Sequence, residues 1–266
     1  VADPALLGPQ RRALILELVR RTGAVRVADL VEQFGVSDMT IRRDLDELAR
    51  AGEVEKIYGG AVTSAARAEE PGFEAKTQRE SAAKAALADA AAALVEPGSV
   101  VAVSAGTTAH AVAGRLLDVR GLTVVTNSLP VADLLREHAA KNPGSGPTLL
   151  LTGGTPTPSA ALVGPLADQA IRSLHVDLLL IGAHGVSERA GLTTPNLAEA
   201  QTNRALISSA RRVVAVADHS KWGVVGLSAF AALDELDCFV TDSGLDAPAR
   251  AALGEQVGRL IVAETP

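Results

Sequence analysis

The chain has 266 residues, more than one ordinary domain, and its 47% hydrophobic and 21% charged residues allow a sizeable buried core. Aromatics are only 2%, so Ala, Val, Leu and Ile must build that core, and a single cysteine, Cys238, excludes an internal disulfide framework. The net charge is −6, and the first 62 residues hold nine Arg and Lys against ten Asp and Glu, which excludes a broadly basic domain; any nucleic-acid surface has to be a local patch.

The N-terminus, Val1-Ala2-Asp3-Pro4, has no signal-peptide pattern. The longest uncharged stretch, Asn142 to Ala167, is broken by Gly and Pro and does not read as a membrane helix. A cytoplasmic protein with no membrane partner is the expectation. Leu14, Ile15, Leu18 and Val19 are spaced for one face of a helix over 9–22, and Leu30, Val31 and Phe34 repeat the signal over 27–34. Gly35-Val36 makes a tight turn, and Ser37 is placed to cap a third helix over 38–51. In that helix Ile41, Leu45 and Leu48 form the inward stripe, which turns Met39, Arg43 and Arg50 outward with Thr40 and Arg42 on the flanks. Two adjacent arginines near the start of such a helix suit entry into a major groove, with Thr40 close to phosphate. The run 53–62 then reads as a hairpin whose glycines, Gly59 and Gly60, supply the turn, and which brings Lys56 and Tyr58 near the DNA backbone. A helix-turn-helix followed by a hairpin is a winged helix.

Residues 63–73 are Ala-, Ser- and Glu-rich and read as a linker, followed by an Ala-rich helix over 74–95 that stops before Pro97-Gly98. Beyond it, apolar runs at 100–103, 122–126, 148–152, 176–182, 213–217 and 238–241 alternate with helical segments, which predicts a mostly parallel sheet covered on both faces. Cys238 reads as a buried strand residue. Ligands of open α/β sheets bind at the carboxyl ends of the strands. There the chain sets Ser104, Gly106, Thr107 and Thr108 at a helix start, then Asn127, Gly153, Gly154 and His184. Glu199 in a later helix, with Asp218 and Lys221 after the fifth strand, completes the candidate set, Lys221 being able to neutralise a phosphate.

Other chemistries fare worse. The segment Ala102-Val103-Ser104-Ala105-Gly106 lacks the first glycine of a nucleophile elbow. The five histidines (His110, His138, His175, His184 and His219) show no paired ligand spacing, so neither a metal nor a cofactor is expected.

The spacing of Arg11, Ile15 and Val19, followed by Ser37-x2-Thr40-Ile41-Arg42-Arg43-Asp44-Leu45 and by Tyr58-Gly59-Gly60-Ala61, closely resembles the DeoR family of bacterial regulators. The likeness extends from about Leu6 to Val262 through Gly106-Thr107-Thr108, Thr126-Asn127-Ser128, Gly153-Gly154, Glu199-Ala200 and Asp218-x2-Lys221. It implies an α/β protein: a winged helix-turn-helix domain (1–62), a linker (63–73) and a mostly parallel open α/β effector and oligomerisation domain (74–266), similar in fold to ribose-5-phosphate isomerase. The function implied is repression of sugar or related carbon-metabolism genes. The partners are operator DNA, a phosphorylated sugar that releases it, and further copies of the chain as a dimer or tetramer. Ser37, Met39, Thr40, Arg42, Arg43, Lys56 and Tyr58 are the expected DNA contacts, and no catalytic residue is expected. The family pattern carries Asp-Ser where this chain has Ser104-Ala105, Asp where it has His184, and Lys where it has Asn203. The effector's identity is left open by those departures. The alternative is a phosphosugar isomerase-like enzyme fused to a DNA-binding domain, with Glu199 as base and Lys221 or Asp218 stabilising charge.

Overall fold

The structure, a computed structural model, describes residues 8–22, 24–51, 53–57, 59–63, 73, 77 and 80–265. The predictions for Tyr58 and for most of the linker lie outside the described residues.

The N-terminal unit holds α1 (Gly8–Thr22), β1 (Ala24–Arg26), α2 (Val27–Phe34), α3 (Asp38–Arg50), β2 (Val54–Ile57) and β3 (Gly60–Thr63). Ile15 and Val19 of α1, Val27 and Leu30 of α2, and Ile41, Leu45 and Leu48 of α3 meet in one core with Val54 and Ala61. Leu14, predicted to face inward, is exposed. The buried stripe of α1 is Arg11, Ile15 and Val19, a strict i, i+4, i+8 row, and Leu14 lies about 100° round the helix from Ile15. The hairpin is part of a three-stranded antiparallel sheet in the order β1-β3-β2. Only one of the two glycines serves the turn. Gly59 takes φ 78°, whereas Gly60 lies in β3, where a Cβ would sit 2.1 Å from the Val25 carbonyl oxygen. Absence of a side chain there lets β1 pair.

The helix described at the start of the second unit is α4 (Ser81–Ala92); the part of the expected 74–95 helix before it lies largely outside the described residues. Glu80, immediately before it, has φ 50°, a left-handed backbone that an uninterrupted helix cannot contain. The chain continues through β4 (Val100–Val103), α5 (Thr107–Arg115), β5 (Thr123–Thr126), α6 (Leu129–Lys141), β6 (Thr148–Leu151), β7 (Thr155–Pro156), β8 (Leu162–Val163), α7 (Pro165–Arg172) and β9 (Leu178–Ile181). It ends with β10 (Gly185–Ser187), β11 (Gly191–Thr194), α8 (Leu197–Ser209), β12 (Val213–Val216), β13 (Ser228–Ala231), β14 (Cys238–Asp242), α9 (Ala247–Gln256) and β15 (Leu260–Ala263).

Seven strands form one sheet in the order β15-β14-β12-β9-β4-β5-β6, every pair parallel. The six predicted runs are all in it, and β15 is added at one edge. Strand residues alternate between two cores, as the pleat requires. Val101, Val103, Leu178 and Leu180 pack on α4, α5 and α6, while Ala102, Leu179, Ile181 and Phe239 pack on α7, α8 and α9. A second sheet, β10-β11-β13, is antiparallel and joins the latter core through Val186, Leu192 and Phe230; the apolar runs had not signalled it. Cys238 is buried in β14, and burial pushes its thiol pKa up, as for an inert core residue.

Candidate DNA-binding surface and effector site

The Ser37 side chain caps α3 by accepting from the Thr40 amide at 3.3 Å, and the two hydroxyls lie 2.9 Å apart. The helix is anchored by a charge pair that hydrophobic periodicity does not reveal. Asp44 sits on the buried stripe of α3, and Arg11 sits on that of α1; Nε of Arg11 donates to the carboxylate at 2.6 Å. Arg12 adds a contact of 3.4 Å to Asp44 and one of 2.7 Å to Glu47. A carboxylate on an apolar stripe needs a cation, and the only sequence signal was that both charges fell on inward rows.

With Asp44 turned inward, its neighbour Arg43 is 82% exposed, loosely paired with Glu47 at 3.9 Å. Met39 is 79% exposed. Arg42 is held along the helix surface by Asp38 at 2.5 Å, and Lys56 on the wing by Asp46 at 2.5 Å. Such surface pairs contribute about 0.3–0.5 kcal/mol, against roughly 1–3 kcal/mol for a bidentate Arg–base contact, so DNA can displace Asp38. Ser37, Met39, Thr40, Arg42, Arg43 and Lys56 thus lie on α3 and the adjoining wing.

In the larger unit the candidate residues other than Glu199 follow the carboxyl ends of strands of the parallel sheet. The chain starts at β4, adds β5 and β6 on one side, then returns to place β9, β12, β14 and β15 on the other. The topological switch point is therefore between β4 and β9, where open α/β sheets form their ligand crevice. Ser104 to Thr108 leave one strand there, and Gly182 to His184 leave the other. From β12 to β6 the row covers four strand spacings, about 19 Å at ~4.8 Å each, wider than one phosphorylated monosaccharide. The residues that follow β4 and β9 are one strand spacing apart; Gly153 and Gly154, beyond the edge strand β6, are not brought next to the switch point by the topology.

Several of these residues brace the edge. The Ser104 hydroxyl accepts from the Gly182 amide at 3.1 Å and donates to the Ala105 carbonyl at 3.2 Å. Buried Asn127 accepts from the Ala105 amide and donates to the Leu162 carbonyl, each at 3.1 Å. Both side chains hold the loop into α5 in place. Gly106, φ 123°, is the N-cap of that helix, presenting Thr107 and Thr108 at its start. Gly153 has open space where a Cβ would be, but a Cβ on Gly154 would lie 2.7 Å from the Val163 carbonyl oxygen. Close packing on β8 thus explains Gly154.

Glu199, nearly buried at the start of α8, accepts from Thr157 at 2.6 Å, from Ser159 at 2.5 Å and from Thr194 at 3.3 Å. Sequence reasoning missed these three hydroxyls because two come from a loop 42 and 40 positions away and one from a strand 5 positions away. They clamp the β7–β8 turn, where Ala160 takes the unfavourable φ of 59° and its carbonyl accepts from Leu129 at the start of α6. His184 is half-buried, its amide donating to Thr193.

Asp218, buried at the end of β12, accepts through Oδ1 from the amide and hydroxyl of Ser220, and among the described residues its Oδ2 has no hydrogen-bond partner. The 219–221 turn is a short 3₁₀ helix that carries Lys221. His219 in that turn is tied to Asp242 of β14: its amide donates to Oδ1 and its Nδ1 pairs with Oδ2, each at 2.7 Å. The hydrogen bond with Asp242 raises the His219 pKa above its ordinary value; burial opposes this, the Asp242 charge reinforces it, the Arg26 charge opposes and Glu80 assists. Burial pushes Asp242 upward, but its hydrogen bonds from His219 outweigh that and leave it lowered.

A cleft of about 730 Å³ lies elsewhere, lined by Arg204, Ile207, Phe230 and Leu233 among others, and holds none of the candidate effector residues. The strand-end row, by contrast, sets backbone donors and hydroxyls beside the β4–β9 switch point, with Lys221 in the turn that follows β12. Among the described residues no cluster of His, Cys, Asp or Glu could hold a metal ion, and no helix is long and apolar enough to cross a membrane.

Residues 11–66 match the DeoR-like helix-turn-helix domain, and residues 79–243 match the DeoR C terminal sensor domain. The chain is 38% identical, over 96% of its length and 98% of the relative's, to the uncharacterized HTH-type transcriptional regulator YgbI of Escherichia coli (strain K12). It is 33% identical, over 88% of its length and 90% of the relative's, to the glycerol-3-phosphate regulon repressor of the same organism. A weaker structural likeness, TM-score 0.38 and 18% identity over 52% of this chain and 53% of the other, is to ribose 5-phosphate isomerase A from Methanocaldococcus jannaschii. A capped, outward-facing α3 on a winged sheet, coupled in one chain to a seven-stranded parallel sheet, is thus matched in both halves, and the chain belongs to the DeoR family of helix-turn-helix transcriptional regulators.

Proposed function

We propose that the chain is a DNA-binding repressor of sugar or related carbon-metabolism genes, released from its operator by a phosphorylated sugar. The observation that carries this reading is the outer face of α3: Met39, Arg42 and Arg43 point away from a core that Asp44 and Arg11 lock from the inside. A helix fixed in this way presents its arginines to a major groove with little loss of freedom on binding. The relatives named as repressors support the direction of regulation.

In this reading residues 1–62 bind DNA, residues 63–73 link, and residues 74–266 bind effector and assemble the chain into a homodimer or tetramer, because helix-turn-helix proteins engage paired half-sites. The protein acts in the cytoplasm. Thr107, Thr108, Lys221 and the backbone of Gly106 meet the phosphate, and His184 and Asp218 meet the sugar hydroxyls. Ser104, Asn127 and Glu199 support them by holding the loops.

The effector is bound and not turned over. The carboxylate that an isomerase would need as a base, Glu199, is occupied by three hydroxyls, and a ligand that shifts conformational populations has to stay intact. The test is a fluorescence-anisotropy titration of duplexes from upstream of the chain's own gene, against random competitor, repeated with a panel of phosphosugars that are re-assayed for product afterwards. Specific binding weakened by one phosphosugar, recovered unchanged, is the expected result. Conversion of that phosphosugar would replace this reading with the enzymatic one.

A further inference from the structure

Strand β1 is an edge strand of the wing sheet and runs directly into α2. Arg26, its last residue, pairs with Gly60 of β3 in the wing sheet and is also the N-cap residue of α2. Its side chain makes no capping bond; instead, Nη2 of Arg26 donates to the backbone carbonyl of His219, 193 positions away. That carbonyl belongs to the turn that starts at Asp218 and ends at Lys221.

The acceptor is mounted rigidly. Asp242 holds the His219 amide and ring on one side and the Gly244 amide at 3.1 Å on the other. A Cβ on Gly244 would stand 2.6 Å from Nδ1 of His219, so the frame leaves no slack. Asp218 ties the turn from within through Ser220, and the Lys221 amide donates to the Asp218 carbonyl at 3.0 Å. Movement of Lys221 or Asp218 therefore moves the carbonyl that Arg26 grips. A second bridge reaches the other side of the candidate site. Phe73, just before the larger unit, meets the His110 ring edge-on at 5.4 Å and 80°. His110 lies one turn into α5, its amide donating to the carbonyl of Gly106 at 2.9 Å. Burial lowers the His110 pKa. Both bridges end on elements that carry candidate effector residues.

We infer that Arg26 is the coupling residue of this regulator: through the His219 carbonyl it ties the wing sheet and α2 to the turn bearing Asp218 and Lys221, so that effector occupancy of that turn changes the placement of the DNA-binding head. This rests on the effector site proposed above. Allostery requires a physical element that both ligands bias, and a charged hydrogen bond from a strand of one unit to a ligand-bearing turn of the other supplies one.

The test compares full-length wild type, Arg26→Ala and Arg26→Lys. For each, operator affinity is measured with and without a saturating phosphosugar from the panel, and phosphosugar affinity is measured by calorimetry without DNA. Coupling factors in such systems are about 5–150-fold. Arg26→Ala is expected to bring the factor to within about twofold of unity while phosphosugar affinity stays within about threefold of wild type, and Arg26→Lys is expected to restore part of it. An Arg26→Ala variant with the full wild-type factor overturns the assignment. If no phosphosugar changes operator affinity in wild type, the effector reading itself fails and the coupling falls with it. Should Arg26→Ala fold poorly, amide exchange in wild type decides. Phosphosugar is expected to change protection in both 219–221 and 24–28; a change confined to 219–221 contradicts the proposal.

Discussion

Single residues here act through partners far away in sequence. Asp44 and Arg11 are both buried and are 33 positions apart. Asp44→Ala would remove the carboxylate that Arg11 meets at 2.6 Å inside the core, a loss of about 3–5 kcal/mol for a broken buried pair. Denaturant unfolding followed by circular dichroism should show this loss, and Asp44→Asn should lose less; equal stability of Asp44→Ala and wild type would show that α1 does not anchor α3. The His219–Asp242 pair makes stability depend on pH. The folded-state pKa of His219 is raised, so its contribution is complete below the ordinary 6.5 and disappears as pH rises through the raised value. That of Asp242 is lowered, so its contribution is present above 3.8 and is lost as pH falls through the lowered value. Together they stabilise most between those limits. The melting temperature of wild type should therefore fall more steeply than that of His219→Gln from pH 6 to pH 8.5. Parallel profiles for the two proteins would remove His219 from the account.

At the scale of elements, the wing depends on one missing side chain. In Gly60→Ala the new Cβ would collide with the Val25 carbonyl at 2.1 Å, so β1 has to leave β3 at a cost of at least about 2 kcal/mol. Because Arg26 ends β1, operator binding and its response to phosphosugar should weaken together. Thermal melts and anisotropy on this variant check both, and an undisturbed variant would mean that the β1–β3 pairing is unimportant. Elements with their own periodicity were legible in the sequence. The stripe Ile41, Leu45 and Leu48 gave α3 and its outward arginines, and apolar runs gave six parallel strands. The elements missed had no such signal. Strand β1 is three residues long, β15 follows the last recognised run, and β10, β11 and β13 are defined by pairing with each other. At the site, the row of strand ends was legible because polar residues follow apolar runs. The division of labour within it was not, because Ser104, Asn127 and Glu199 are committed by hydrogen bonds to partners 78, 35 and 40–42 positions distant.

For the whole molecule, a net charge of −6 and a near-neutral N-terminal unit mean that DNA affinity rests on a few well-placed cations. Each phosphate contact adds about −0.9 to the slope of log affinity against log salt, so the slope should be shallow for a DNA-binding protein. The most direct measurement is competition binding of the upstream duplex against random DNA, at modest ionic strength and without phosphosugar, for wild type and for Arg42→Ala with Arg43→Ala. At roughly 1 kcal/mol or more for each arginine, the double variant is predicted to lose about 30-fold or more in specific affinity with little change on random duplex. Undiminished specific binding by the double variant would contradict the account and send the search for the reading surface elsewhere.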